Sequence, residues 1–133
     1  MKIGILGGGQ LGRMLIQEAL KYDDEWFTLD PAQDAPCHSI SHFTQGNFDD
    51  FDTVFNFGKG KDVVSIEIEH VNVDALSELR ECGIKVIPSP EIIQIIQQKI
   101  LQKEFYLKHD IPSPEFQIIQ NKSLSRSNHE FDS

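Results

Sequence analysis

Three groups of residues in the first half of the chain have the types and spacing for chemistry. The first is Gly7-Gly8-Gly9-Gln10-Leu11-Gly12, set directly between the apolar run Met1 to Leu6 and Arg13-Met14-Leu15-Ile16. A G-x-G-x-x-G run between a strand and a helix presents free backbone N–H groups to a ligand, with the positive end of the helix dipole behind them. Gly7 permits the tight turn, Gly9 leaves room for a ligand to approach the backbone, and Gly12 lets the helix pack closely on the strand. The second is Asp30, 18 positions after Gly12. A dinucleotide site uses an acid near that distance to hold a ribose hydroxyl. The same residue can instead open the loop Asp30-Pro31-Ala32-Gln33-Asp34-Ala35-Pro36 and touch no ligand. The third is Glu67 with Glu69, at the end of Asp62-Val63-Val64-Ser65-Ile66-Glu67-Ile68-Glu69. Strand alternation puts Val64, Ile66 and Ile68 on one face and Ser65, Glu67 and Glu69 on the other. Two carboxylates there mark either a site or the solvated face of an edge strand.

The elements that must position these groups follow from periodicity. After the glycine turn, Leu11, Met14, Leu15 and Ala19 fall on one helical face, and the helix should stop near Tyr22-Asp23-Asp24. Glu25 to Leu29 is a second strand, closed by Pro31, and Ile40 to Thr44 is a short third. Asn47 can cap a helix from Phe48 to Phe57, with Phe48, Phe51 and Phe55 on its core face. Val73 to Glu81 is a helix capped by Asn72 and stopped by Gly83. Ile84 to Ile87 is the next strand. Ser89-Pro90-Glu91 starts a long helix expected from Pro90 to His109, with Ile92, Ile93, Ile96, Ile100, Leu101 and Phe105 as an apolar stripe. Asp110 to Pro114 reads as a stiff hinge, Glu115 to Ile119 as one more strand, and Asn121 to Ser133 as a frayed end. Strand alternating with helix argues an α/β fold, an open parallel sheet with helices on both faces. Ligands of such sheets sit outside the carboxyl ends of the strands, where the glycine turn, Asp30, Glu67 and Glu69 all fall.

The bulk numbers limit the functions available. The chain has 133 residues and a net charge of -9, from 21 acidic and 12 basic residues. That balance disfavours nucleic acid and anionic membranes as partners. The opening apolar stretch is too short for a signal peptide, and no run reaches the length of a membrane span. Cys37 and Cys82 share no metal or redox spacing and read as buried or half-buried thiols in a reducing compartment, so a cytoplasmic location is expected. His38, His42, His70, His109 and His129 show no metal-ligand spacing, and no metal site of protein side chains alone is expected. Gly58-Lys59-Gly60-Lys61 is a turn, too short for a phosphate loop.

Five pieces in this order resemble one family closely. They are Gly7-Gly8-Gly9-Gln10-Leu11-Gly12-Arg13-Met14; Asp30-Pro31 with Ala35-Pro36; Ser65 to Val71; Val86-Ile87-Pro88-Ser89-Pro90; and Gln97 to Lys103. Together they look like the N-terminal part of the PurK family of carboxyaminoimidazole ribonucleotide synthases, in the ATP-grasp superfamily. The resemblance runs to about residue 119. It implies a Rossmann-like pre-ATP-grasp, substrate-side domain over residues 1–90, then a linker helix and the truncated beginning of an ATP-grasp lobe over 91–133. It implies ATP-dependent carboxylation of aminoimidazole ribonucleotide with bicarbonate, through carboxyphosphate, in purine biosynthesis. ATP and magnesium are implied as cofactors, both held mainly by the later ATP-grasp domain.

By the same resemblance, Gly9, Gln10, Leu11 and Glu67 contact the ribonucleotide. Lys99 stands where the family places a basic residue on ATP phosphate, and there lysine replaces the commoner arginine, losing bidentate contact. Asp30 and Glu69 are ribose or loop contacts, and no residue here is assigned a catalytic role. The family chain is more than twice as long, so this polypeptide is not expected to form carboxyphosphate by itself. The resemblance also allows a homodimer. Two other readings stand beside it. One is an NAD-binding Rossmann regulatory module, supported by Asp30 and the glycine run. The other is a non-catalytic remnant using the isoleucine stripe of residues 92 to 105 as a protein contact.

Overall fold

The computed structural model describes residues 1–117. Five strands, β1 (Lys2–Leu6), β2 (Glu25–Asp30), β3 (His42–Gln45), β4 (Val63–Ile66) and β5 (Lys85–Ile87), form one sheet in the order β3-β2-β1-β4-β5. All four pairings are parallel, so each strand must be joined to the next by a crossover. The helices among them are α1 (Gln10–Ala19), α2 (Phe51–Gly58) and α3 (Val73–Glu81); α4 (Pro90–Gln97) and α5 (Lys99–Lys108) follow.

Alternation along β1 divides the core. Leu6 joins Leu29, Val64 and Val86 under Val54, Phe57, Leu76, Leu79 and Ile93, while Ile5 joins Ile16 and Cys37 on the opposite side. Helices therefore cover both faces, as expected of an open parallel sheet.

The buried face of α1 differs from the apolar stripe in its sequence. Gly12, Ile16 and Ala19 are buried, while Leu11, Met14 and Leu15 are 65%, 60% and 50% exposed. Gly12 adds nothing to a hydrophobic pattern, yet it permits the closest approach to the sheet and so sets the rotation of the helix.

Helix α2 starts later than expected. Asn47 is not its cap: the Asn47 carboxamide oxygen accepts the Asp49 N–H at 3.0 Å within a turn. Asp50 caps instead, its carboxylate accepting the Thr53 N–H at 2.8 Å. Phe48 thus packs on the core from the loop, outside the helix, and Phe51 is exposed while stacking on Phe55. The Asn72 cap of α3 is found as expected, accepting the Ala75 N–H at 2.9 Å. Of the two cysteines, Cys37 is buried but Cys82 is exposed, against the expectation for it.

The long helix expected from Pro90 to His109 is two helices. Gln98 leaves helical geometry at φ −108° and ψ 105°, ending α4 and preceding α5. Only Ile93 of the isoleucine stripe is fully buried; Ile92 and Ile100 are half exposed. Residues 115–117 form no strand, and the rest of that expected strand, with the expected frayed end, lies outside the described residues.

Arg80 of α3 reaches both carboxylate oxygens of Glu91 on α4, at 2.5 and 2.8 Å. The guanidinium holds the Glu91 carboxyl down at about 2. A depressed acid contributes stability above its ordinary value of 4.5 and loses it as pH falls toward 2. The pair is solvent-exposed, so its contribution is small. Arg80→Gln should return the Glu91 titration, followed by NMR, toward the ordinary carboxylate range with little change in melting temperature at neutral pH.

Candidate functional site

The site is built at the carboxyl ends of β1, β2 and β4. After Leu6 the chain turns through Gly7 at φ 108°, a left-handed conformation that favours glycine. The turn is fixed by three bonds: Gly7 N–H to the Leu29 carbonyl at 2.9 Å, Gly8 N–H to the Asp30 carboxylate at 2.7 Å, and Cys37 N–H to the Gly8 carbonyl at 2.9 Å. Gly12 then sits so close that a Cβ on it would lie 2.9 Å from the Gly7 carbonyl oxygen. The helix begins at Gln10 with Gly9 as a cap that has no side chain and with no acidic residue in the first turn. Its leading N–H groups therefore meet no capping side chain.

Glu67 comes from the end of β4. The strand stops at Ile66 because its partner β1 ends at Leu6, where the glycine turn leaves the sheet. Glu67 and Glu69 are thus in the loop beyond the strand, and strand alternation does not govern them. The Glu67 N–H still donates to the Leu6 carbonyl at 2.8 Å, which sets the residue beside the turn. Its carboxylate lies against the glycines: a Cβ on Gly9 would be 3.3 Å from Oε1, and one on Gly7 would be 2.5 Å from Oε2. The group closest to Gly9 is therefore the Glu67 side chain, where the sequence suggested room for a ligand. Burial, and next the Asp30 charge, raise the Glu67 carboxyl above its usual range. No hydrogen bond or ion pair among the described residues takes up that carboxylate.

Asp30 is brought to the same place but is spent on structure. One oxygen accepts from Gly8 N–H and the other from Ala32 N–H at 2.8 Å. Of the two roles open in the sequence, the loop-opening one is the geometry observed. Asp30→Ala should leave the buried Gly8 N–H unpaired and lower stability by about 1 kcal/mol, read as a fall in the urea midpoint.

Glu69 does not share Glu67's placement; it is exposed, with His70 Nε2 3.9 Å away. Lys99 is exposed at the first position of α5, its ammonium donating to Gln102 at 3.3 Å. Cys37, read from sequence only as an inert thiol, is the floor of the turn. It lies 3.7 Å from the Gly9 carbonyl, where its thiol can donate, and burial followed by the Glu67 charge pushes that thiol up. It remains a protonated prop rather than a nucleophile. Ala35, also buried, meets Gly8 and was missed for lack of any chemical signal.

Comparison with known proteins bears on this arrangement. The family model described as the ribonucleotide synthetase preATP-grasp domain matches residues 1–97. A chloroplastic phosphoribosylaminoimidazole carboxylase of Vigna aconitifolia is 42% identical over 120 residues, covering 90% of this chain and 22% of that protein. An N5-carboxyaminoimidazole ribonucleotide synthase of Staphylococcus epidermidis is 34% identical over 128 residues, covering 94% and 34%. Among solved structures, the N5-carboxyaminoimidazole ribonucleotide synthetase of Thermotoga maritima superimposes with a TM-score of 0.80 at 39% identity, covering 90% of this chain and 34% of that one. The Aspergillus clavatus N5-carboxyaminoimidazole synthase, in complex with ADP and 5-aminoimidazole ribonucleotide, gives 0.78 at 41% identity, covering 86% and 31%. The chain spans 22% to 34% of the length of these relatives.

Proposed function

Because the chain belongs to the ribonucleotide synthetase preATP-grasp family, we propose that it supplies the substrate side of an ATP-dependent carboxylation of aminoimidazole ribonucleotide in purine biosynthesis. The observation that carries this reading is the Glu67 carboxylate, pressed against Gly7 and Gly9 and taken up by no donor among the described residues. A carboxylate only accepts hydrogen bonds, so its natural partner is a ligand that donates, such as a ribose hydroxyl or the exocyclic amine of an aminoimidazole. Gly9, Gln10 and Leu11, at the start of α1, add backbone N–H donors for the ligand's acceptors. The Aspergillus relative's complex with 5-aminoimidazole ribonucleotide supports this choice of ligand.

In the proposed reaction the ribonucleotide amine attacks the carboxyl carbon of carboxyphosphate, made from ATP and bicarbonate. A C–N bond forms, the C–O bond to phosphorus breaks, inorganic phosphate leaves, and the amine loses a proton. This chain's residues hold and orient the amine's parent ring; formation of carboxyphosphate belongs to the remaining length of the relatives. The proposed division is a substrate-side domain over 1–90 and the linker and beginning of the next lobe over 91–133. Lys99 is the proposed ATP-phosphate residue. A lysine in the first turn of a helix opposes the dipole, so its place there is not explained by helix stability. Among the described residues no group of three or more His, Cys, Asp or Glu side chains could hold a metal ion, and magnesium is assigned to the relatives' later carboxylates. Among the described residues no helix is long and apolar enough to cross a membrane. The cytoplasm is the proposed compartment, and a homodimer the proposed assembly.

The competing nicotinamide reading uses the acid at the end of β2 for a ribose diol; each Asp30 oxygen already accepts one backbone N–H, which leaves fewer acceptor sites for that role. Thermal-shift titration of this chain with aminoimidazole ribonucleotide, NAD and ATP in parallel tests the proposal. A ligand that binds only the folded state raises the melting temperature with the logarithm of its concentration. A shift with the ribonucleotide is the expected result; a shift with NAD alone overturns it.

A further inference from the structure

The five residues after β4 determine where the Glu67 carboxylate goes, and they are held from outside. At one end of this loop Glu67 N–H extends the ladder to the Leu6 carbonyl. At the other, Asn72 N–H donates to the Phe48 carbonyl at 2.7 Å and its side-chain amide to the Asp49 carbonyl at 3.0 Å. Within the loop Val71 N–H donates to the Glu69 carbonyl at 2.9 Å, Val71 is buried in the core and Ile68 packs against it; one side chain ties this turn from outside. Gln97 Nε2, at the last residue of α4, donates to the Glu69 carbonyl at 2.7 Å and to the Val71 carbonyl at 2.8 Å. A primary amide has two N–H protons, and both are used here on carbonyls two residues apart.

The seat of α4 does not depend on these bonds. Ile93 is fully buried in the core, and Pro90 is buried at the opposite end of the helix. The amide of Gln97 thus acts on the loop rather than on the packing of its own helix. We propose that Gln97 is a positioning residue: its amide sets the curl of residues 67–71 and so holds the Glu67 carboxylate against Gly7 and Gly9. Its importance for substrate rests on the ribonucleotide reading of Glu67 above; its effect on the loop does not. Lys99, the proposed phosphate residue, stands two positions further on, across the break at Gln98. The clamp therefore joins the substrate carboxylate to the segment that carries the cation.

Two variants separate donor chemistry from reach. Gln97→Met keeps the length and loses the donor; Gln97→Asn keeps the donor, neutral, and is one methylene too short to reach both carbonyls. Each is compared with the unaltered chain by NMR titration of the Glu67 carboxyl without ligand, and by calorimetric binding of aminoimidazole ribonucleotide. In Gln97→Met the Glu67 carboxyl should fall back toward its ordinary range, because it leaves the half-buried place beside Asp30, and affinity should weaken about tenfold. Gln97→Asn should move both in the same direction. The proposal is overturned if Gln97→Met leaves the Glu67 titration unchanged, or if Gln97→Asn does. Should Gln97→Met not fold, the titration of Gln97→Asn decides alone, and an unchanged Glu67 overturns the proposal. Absence of ribonucleotide binding by the unaltered chain counts against the function proposed for the site, while the ligand-free titration still decides the clamp.

Discussion

Glu67→Ala should weaken aminoimidazole ribonucleotide binding by roughly 10- to 100-fold and leave the fold at least as stable as before. The first figure follows from losing charge-assisted hydrogen bonds, worth about 1.5–3 kcal/mol when made to an ionised group. The second follows from the direction of the Glu67 shift. Its carboxyl is raised by burial and by Asp30, so the folded protein holds the Glu67 proton more tightly than the unfolded chain. Ionisation of Glu67 therefore opposes folding. That cost is fully present above the folded pKa and disappears as pH falls below the ordinary value of 4.5. The melting temperature of Glu67→Ala relative to the unaltered chain should be most favourable at neutral pH, and the difference should narrow to a constant below about pH 4.5. Calorimetry with ligand and melting curves across pH measure both. A large loss of stability at pH 7 would make Glu67 a structural residue.

Gly12→Val should do the opposite, with stability and binding falling together. The added Cβ meets the Gly7 carbonyl oxygen at 2.9 Å and the Cys37 sulfur at 3.4 Å. The Gly7 backbone cannot yield, because Gly7 N–H is bonded to Leu29 and Gly8 is bonded on both sides. The remaining relief is for α1 to lift from the sheet, which opens the cluster of Ile5, Ile16 and Cys37. Overpacking of this kind costs about 3 kcal/mol, or a fall of roughly 10 °C in melting temperature for a domain near this size. The N–H groups of Gln10 and Leu11 move with the helix, so ribonucleotide affinity should fall as well. Unchanged stability would mean that α1 is not packed as described.

The two glycine-turn predictions rest on features of different legibility. The strand–turn–helix context of Gly7 to Gly12 is local, and local pattern located it and assigned the roles of Gly7 and Gly12. Which face α1 buries was not legible, because the residue that decides it has no side chain to register in a hydrophobic pattern. The end of β4 was misjudged for a related reason. Val63 to Glu69 reads as one alternating strand, but a parallel strand lasts only as long as its neighbour, and β1 stops at Leu6. Glu67 was still singled out, since an acid after an apolar strand is conspicuous, but its approach to Gly7 and Gly9 spans 59 and 57 intervening residues. The break at Gln98 has no proline or glycine to announce it. Gln97, which ties α4 to the loop, looks like any other polar helix residue until its two acceptors are in place. Asp30 falls at the end of β2, close to where the pattern put it, and its bonds to the Gly8 and Ala32 N–H groups needed the positions of those two groups.

The strand order has a consequence for synthesis. β1 is made first yet lies at the centre of the sheet, between β2 and β4. Once β2 has been made, one side of β1 can be paired, and the Asp30 latch on Gly8 becomes available with it. The other side of β1 stays an open edge until residues 63–66 have emerged. For that interval the nascent chain carries an apolar strand with one side unpaired, the kind of edge that recruits foreign strands. Closure by β4 ends the exposure, and the next residue to be placed is Glu67. The carboxylate therefore arrives at the glycine turn as the central strand loses its open edge.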